Sequence, residues 1–194
     1  MLETERLIIR PIKIEDVNDI FEYATDEETG PKAGWTPHKN IEETIKIVNM
    51  WLSPNHTEQI FAVIYKQDNK VIGTLGVTHL NIHKKDEKNF IANNLISDGK
   101  SVFEIGYTLS KKYWGKGLGT EALKVMINHL FNTSDADVIL ALHYESNTAS
   151  KRVQEKNNML VLGKYDRDKK WYNTDCYTMI VRGKTRKEWL DDRI

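Results

Sequence analysis

The chain has 194 residues, 40% hydrophobic and 29% charged, the make-up of a soluble globular protein with a core of its own. Its 28 Lys and Arg offset 28 Asp and Glu, and this zero net charge argues against the basic surplus that nucleic-acid binding by counterion release needs. One cysteine, Cys176, excludes an internal disulfide, no apolar run reaches the ~20 residues of a membrane span, and the N-terminus has no signal-peptide layout, so a cytoplasmic protein with no membrane partner is expected.

In chain order, RLIIR (6–10) reads as a strand ended by Pro11, and Val17, Ile20, Phe21 and Ala24 predict an amphipathic helix over 14–25. Residues 26–40, with two prolines, two glycines and Trp35, read as a loop. Asn40 and Glu43 resemble a capping box ahead of a helix marked by Ile41, Ile45, Val48 and Leu52. IFAVIY (60–65) and VIGTLGVTHL (71–80) flank a polar turn and predict a hairpin. Residues 81–101 show no period and read as a long loop. VFEIGYTL (102–109) alternates, with Phe103, Ile105, Tyr107 and Leu109 on one face. A strong helix follows on Ala122, Leu123, Met126, Ile127, Leu130 and Phe131, then a buried strand at 138–143. A short helix at 147–158 has Asn147 as its N-cap, strands follow at 159–165 and 174–182, and a helix closes the chain near KEWLDD. Helices interrupting a sheet that also contains hairpins predict a mixed α+β fold, in one domain spanning 1–194.

Between the strand at 102–109 and its helix lies YWGKGLGTEAL (113–123), with Gly115, Gly117 and Gly119 at the mouth of the helix. A helix N-terminus presents unpaired N–H groups and the positive end of its dipole, and glycines let an anion touch that backbone. A tight turn without ligand would need one glycine; three point to a phosphate-bearing ligand. The spacing fits neither G-x-x-x-x-G-K-[ST] nor G-x-G-x-x-G.

IGYTLSKKYWGKGLGTEAL resembles the acetyl-CoA-binding motif A of the GNAT acetyltransferase superfamily, Q/R-x-x-G-x-G/A, with Trp114 in place of Gln or Arg. That form, the opening LETERLIIRPIKIEDVNDIFEY and NTASKRVQEKNNM (147–159) are similar to the Rim-type ribosomal-protein N-terminal acetyltransferases. The resemblance implies a mostly antiparallel seven-stranded sheet with acetyl-CoA in a splay between central strands. It assigns Leu109 to pantetheine and Trp114, Gly115, Lys116, Gly117, Leu118, Gly119 and Thr120 to the pyrophosphate loop. Lys112 and Lys116 are either phosphate partners or solvated cations, and Asn147 either caps its helix, bonds pantetheine, or both. Asn158-Met159 replace the usual Gly-Phe, and Gln154 stands where many members carry a thiolate-protonating tyrosine. The Rim-type alternative, a serine three residues after the Asn, is Ser150.

The implied reaction is direct attack of a primary amine on the thioester, needing a base, donors for the oxyanion and a donor for the thiolate. Glu104, the acid of VFEIGYTL, is the candidate base or a solvated glutamate; Ser150 is the candidate thiolate donor or a helix-turn serine. Trp35 is a candidate for the acceptor site or a loop anchor. A protein or peptide α-amine is the favoured acceptor, because its pKa of about 8 needs less help than the ~10.4 of lysine. A small amine such as a polyamine or an antibiotic, and a CoA-binding module without catalysis, are the alternatives. The six histidines form no ligand spacing, His79 and His83 included, so no metal is expected; Cys176 reads as a core residue. A monomer and a homodimer both stay open.

Overall fold

The computed structural model describes residues 1–80, 99–166 and 178–193. Its eight strands are β1 (Leu2–Glu3), β2 (Leu7–Pro11), β3 (Gln59–Tyr65), β4 (Lys70–Leu80), β5 (Val102–Leu109), β6 (Val138–Tyr144), β7 (Leu160–Asp166) and β8 (Thr178–Thr185). They form one sheet in the order β1-β2-β3-β4-β5-β6-β8-β7, antiparallel throughout except β5–β6. The count exceeds the expected seven by β1. Its two residues, paired with Ile8 and Ile9, are too few to show an alternation in sequence. The loop expected over 81–101 lies outside the described residues as far as 98, as do Cys176 and His83.

The helices are α1 (Val17–Ala24), α2 (Thr29–Ala33), α3 (Ile41–Trp51), α4 (Leu118–Thr133), α5 (Thr148–Glu155) and α6 (Arg186–Asp191). Part of the expected loop 26–40 is therefore helical. Asp26 Oδ1 accepts from the Thr29 N–H at 2.8 Å to start α2, and Gly34, at φ +92°, ends it. The box at α3 is half formed. Asn40 Oδ1 accepts from the Glu43 N–H at 3.0 Å, but the Glu43 carboxylate reaches the Lys39 N–H, one residue early. The buried face of α3 is Thr44 and Val48, while Ile45 and Leu52 are exposed. Thr44 can face inward because His38 Nδ1 bonds its hydroxyl at 2.8 Å.

Helix α4 packs on one face of the sheet, burying Leu118, Leu123, Met126 and Phe131 against Leu7, Ile9, Ile105 and Ile139. Each such side chain contributes about 1.5–3 kcal/mol, which outweighs the ~1 kcal/mol cost of Gly119 in the first turn. Helices α1 and α3 cover the opposite face through Val17, Ile20 and Val48 on Ile60, Ala62 and Ile64.

Candidate active site

Strands β5 and β6 run parallel, with α4 as their crossover, and pair only at Val102–Val138, Phe103–Ile139 and Glu104–Leu140. Beyond that, β5 stays with β4 as far as Leu109–Gly73 and β6 stays with β8 as far as Tyr144–Met179. The sheet therefore parts into a cleft of about 880 Å³, lined by residues 105–109 on one wall and Leu142, His143 and Tyr144 on the other.

The N-terminus of α4 meets this cleft. Gly115 and Gly117 have φ of +74° and +77°, a left-handed conformation that favours glycine. Nothing lies within 4 Å of where a Gly115 Cβ would sit. Gly117 is the N-cap and supplies no side-chain cap, so the first-turn amides of α4 are left for another acceptor. A clamp outside the cleft holds the loop. Arg6 donates to Lys116 O at 2.9 Å and to Glu121 Oε2 at 2.7 Å, and Thr4 Oγ1 donates to Glu121 Oε1 at 2.6 Å. Burial opposes the charge of Glu121, but the bonds from Thr4 and Arg6 prevail and hold its pKa below the usual carboxylate range. The Trp114 indole donates to Leu109 O at 2.8 Å, and Lys32 of α2 lies 4.6 Å from its ring centroid. Asn147, on the far side, donates to Lys32 O at 3.0 Å, so α2 bridges the mouth.

Inside, the Tyr107 hydroxyl lies 2.6 Å from Ser150 Oγ, and Gln154 Nε2 donates to Ser150 Oγ at 3.1 Å and Tyr107 Oη at 3.2 Å. Burial, partly offset by Ser150 and Gln154, pushes Tyr107 up to about 12, so it is a neutral donor at physiological pH. Asn147 Oδ1 caps α5 by accepting from the Ser150 N–H at 3.1 Å. Among the described residues, two carboxylates line the cleft, Glu104 and Glu58. Glu58 precedes β3 and rests over Gly76 and Gly106, which are directly paired across β4 and β5. A Cβ on Gly76 would overlap Glu58 Oε1, and one on Gly106 would lie 3.9 Å from it. Desolvation pushes Glu58 up, with His56 opposing it.

Of the residues expected from sequence, Trp35, Glu104, Leu109, Trp114, Gly115, Gly117, Leu118, Gly119, Thr120, Asn147 and Ser150 line this one cleft. Lys112 and Lys116 do not. Lys112 Nζ donates to Glu22 at 2.6 Å, and Lys116 Nζ sits 5.0 Å from the centroid of the Tyr113 ring. Sequence reasoning missed Arg6, Glu58 and Tyr107. Tyr107 was visible only as one apolar position of an alternating strand. Among the described residues, no three His, Cys, Asp or Glu side chains gather as a metal would require.

Residues 6–160 match the Acetyltransferase (GNAT) domain family. The chain belongs to that family. It is an acetyltransferase of the GNAT fold. The uncharacterized N-acetyltransferase p20 of Bacillus licheniformis is 29% identical over 151 residues, 77% of this chain and 76% of that protein. The ribosomal-protein α-N-acetyltransferase RimL, solved with coenzyme A, superposes with a TM-score of 0.74 at 17% identity, over 95% of this GNAT chain and 97% of that one. An aminoglycoside acetyltransferase, also solved with coenzyme A, does so with a TM-score of 0.72 at 16% identity, over 97% and 99%.

Proposed function

We propose that this protein transfers the acetyl group of acetyl-CoA directly to a primary amine, with acetyl-CoA lying in the cleft between β5 and β6. The observation that carries this reading is the meeting of two backbone features. The uncapped N-terminus of α4 offers amides to the pyrophosphate, and the parted edge of β5 offers peptide groups to the pantetheine arm. Solved structures of this fold hold coenzyme A or acetyl-CoA, which supports the assignment.

The amine must reach the thioester uncharged. A carboxylate of the cleft, Glu104 or Glu58, takes its first proton. The nitrogen then bonds to the acetyl carbon, and backbone donors of β5 stabilise the oxyanion. As the C–S bond breaks, the nitrogen releases its second proton to solvent, and the thiolate gains one from Ser150, which takes a proton back from solvent in the same step. Tyr107, 2.6 Å from Ser150 Oγ and within donating distance of Ser150 O at 3.2 Å, holds the serine hydroxyl in place at the cleft.

The resemblance to Rim-type enzymes favours a peptide or protein α-amine as acceptor. The side cavity described below, with aromatic walls and one carboxylate among its described lining residues, points instead to a small-molecule amine. Titration of CoA into wild type and Gly117→Asn tests the cofactor assignment. Asn tolerates a left-handed φ, and its Cβ would meet only Arg6 Nη2, at an ordinary 3.6 Å, so the loop should persist while the side chain crowds the amides. A loss of CoA affinity of at least tenfold is expected. Unchanged affinity in the folded variant removes the pyrophosphate from this loop.

A further inference from the structure

A second cavity, of about 350 Å³, lies on the α1–α3 side of the sheet and shares Trp35, Glu58, Gly106 and Tyr107 with the main cleft. Its walls come from α1 through Ile20 and Tyr23 and from α3 through Ile47, Met50 and Trp51. Glu58 is the only carboxylate among its described lining residues, and it stands where the two cavities adjoin. The carboxylate rests over the Gly76–Gly106 pair, where any larger residue at Gly76 would displace it. Its nearest cationic candidate, His56 Nε2, is 3.9 Å away, beyond hydrogen-bond distance. That nitrogen is itself buried and has no hydrogen-bond partner among the described residues.

We propose that this second cavity is the acceptor site, and that it takes a small monoamine on an apolar, ring-sized body whose ammonium docks on Glu58. The inference rests on the reading of the main cleft as the acetyl-CoA site. Three features select this class. A partly desolvated carboxylate in an aromatic pocket calls for a cation that brings both charge and donors. Trp35, Trp51 and Tyr23 line it and supply aromatic surface for a ring or alkyl body and an adjacent ammonium. A polyamine would place a second ammonium in the apolar end, where no second carboxylate of the described lining awaits it. Glu58 stands where it can receive the first proton of the docked ammonium, which leaves the nitrogen free to attack toward the cleft.

The test is calorimetric titration of tryptamine, spermidine and a Phe-Ala-Ala peptide amide into the full chain, with and without saturating CoA. Tryptamine should bind at least tenfold tighter than the other two. Glu58→Gln and Trp51→Leu should each weaken tryptamine at least tenfold and leave CoA affinity within twofold, with circular dichroism confirming the fold. Equal or tighter binding of spermidine or the peptide overturns the proposal, and so does tryptamine affinity indifferent to Glu58→Gln. Failure of CoA to bind would instead overturn the cofactor reading, and the CoA-free tryptamine titration would still decide this one.

Discussion

Ser150 carries little information alone, because a first-turn serine commonly bonds only to nearby backbone. Its neighbours give it a place. Gln154, fully buried, donates to Ser150 Oγ, and Tyr107 lies 2.6 Å from the same oxygen. The two contacts fix the position of Ser150 Oγ on the wall of the cleft. Tyr107 brings a phenol from β5 to within 3.2 Å of Gln154 Nε2. Ser150→Ala is expected to lower kcat by about 10²-fold, within the range of a lost general acid, and Tyr107→Phe by about tenfold. Acetyl-CoA affinity should stay within twofold in both, as read by calorimetry beside steady-state kinetics. Because burial lifts Tyr107 to about 12, the pH–rate profile of the wild type should show no Tyr107 limb near neutral pH. Wild-type kcat in Ser150→Ala would reduce the network to packing.

At the scale of elements, the opening of α4 depends on a clamp far away in sequence. Glu121, in its first turn, receives Thr4 Oγ1, the Arg6 N–H and the Arg6 guanidinium from the segment around β1 and β2. Since its pKa is lowered in the folded state, its contribution is present above the unfolded carboxylate value and lost as pH falls through the folded one. Glu121→Gln should therefore cost about 1–3 kcal/mol at neutral pH by chemical denaturation, and the gap should narrow in acid. A constant gap down to the acid transition would assign the effect to packing. The glycine stretch and the α4 pattern were legible because they are local: a repeat of glycines and a 3.6-residue period. Arg6 and Glu121, separated by 115 positions, announce nothing locally. Helix α2 was hidden by length, since five residues cannot establish a helical period.

Across the whole molecule, two antiparallel half-sheets, β1–β5 and β6–β8, join through three residue pairs, and the proposed chemistry lies where they part. The cofactor side of that opening was readable because backbone recognition uses glycines at fixed spacing. The acceptor side was not, because Glu58 gains its meaning from Gly76, Gly106 and the walls of α1 and α3, all distant in sequence. Such a site should be visible as a stability cost. Besides Glu58, the titratable groups among the described lining residues are Tyr23, His38 and Tyr107 in the second cavity and Lys32, Glu104, Tyr107, Tyr113, His143, Tyr144, Arg152, Lys156 and Tyr165 in the main cleft, with His56 3.9 Å from Glu58. Desolvation raises the folded-state pKa of Glu58 above its ordinary value, so the folded protein binds the proton more tightly than the unfolded chain. Stability then falls as pH rises from the unfolded to the folded value, and the penalty persists at neutral pH. Glu58→Gln removes the charge and keeps the shape. Its melting temperature should exceed that of wild type at pH 7, and the difference should shrink once pH drops below the ordinary carboxylate range. The same variant should lose amine binding, the pattern of a residue retained for function against stability. A variant less stable than wild type at pH 7 would mean that Glu58 is satisfied in place and has no need of a cationic visitor.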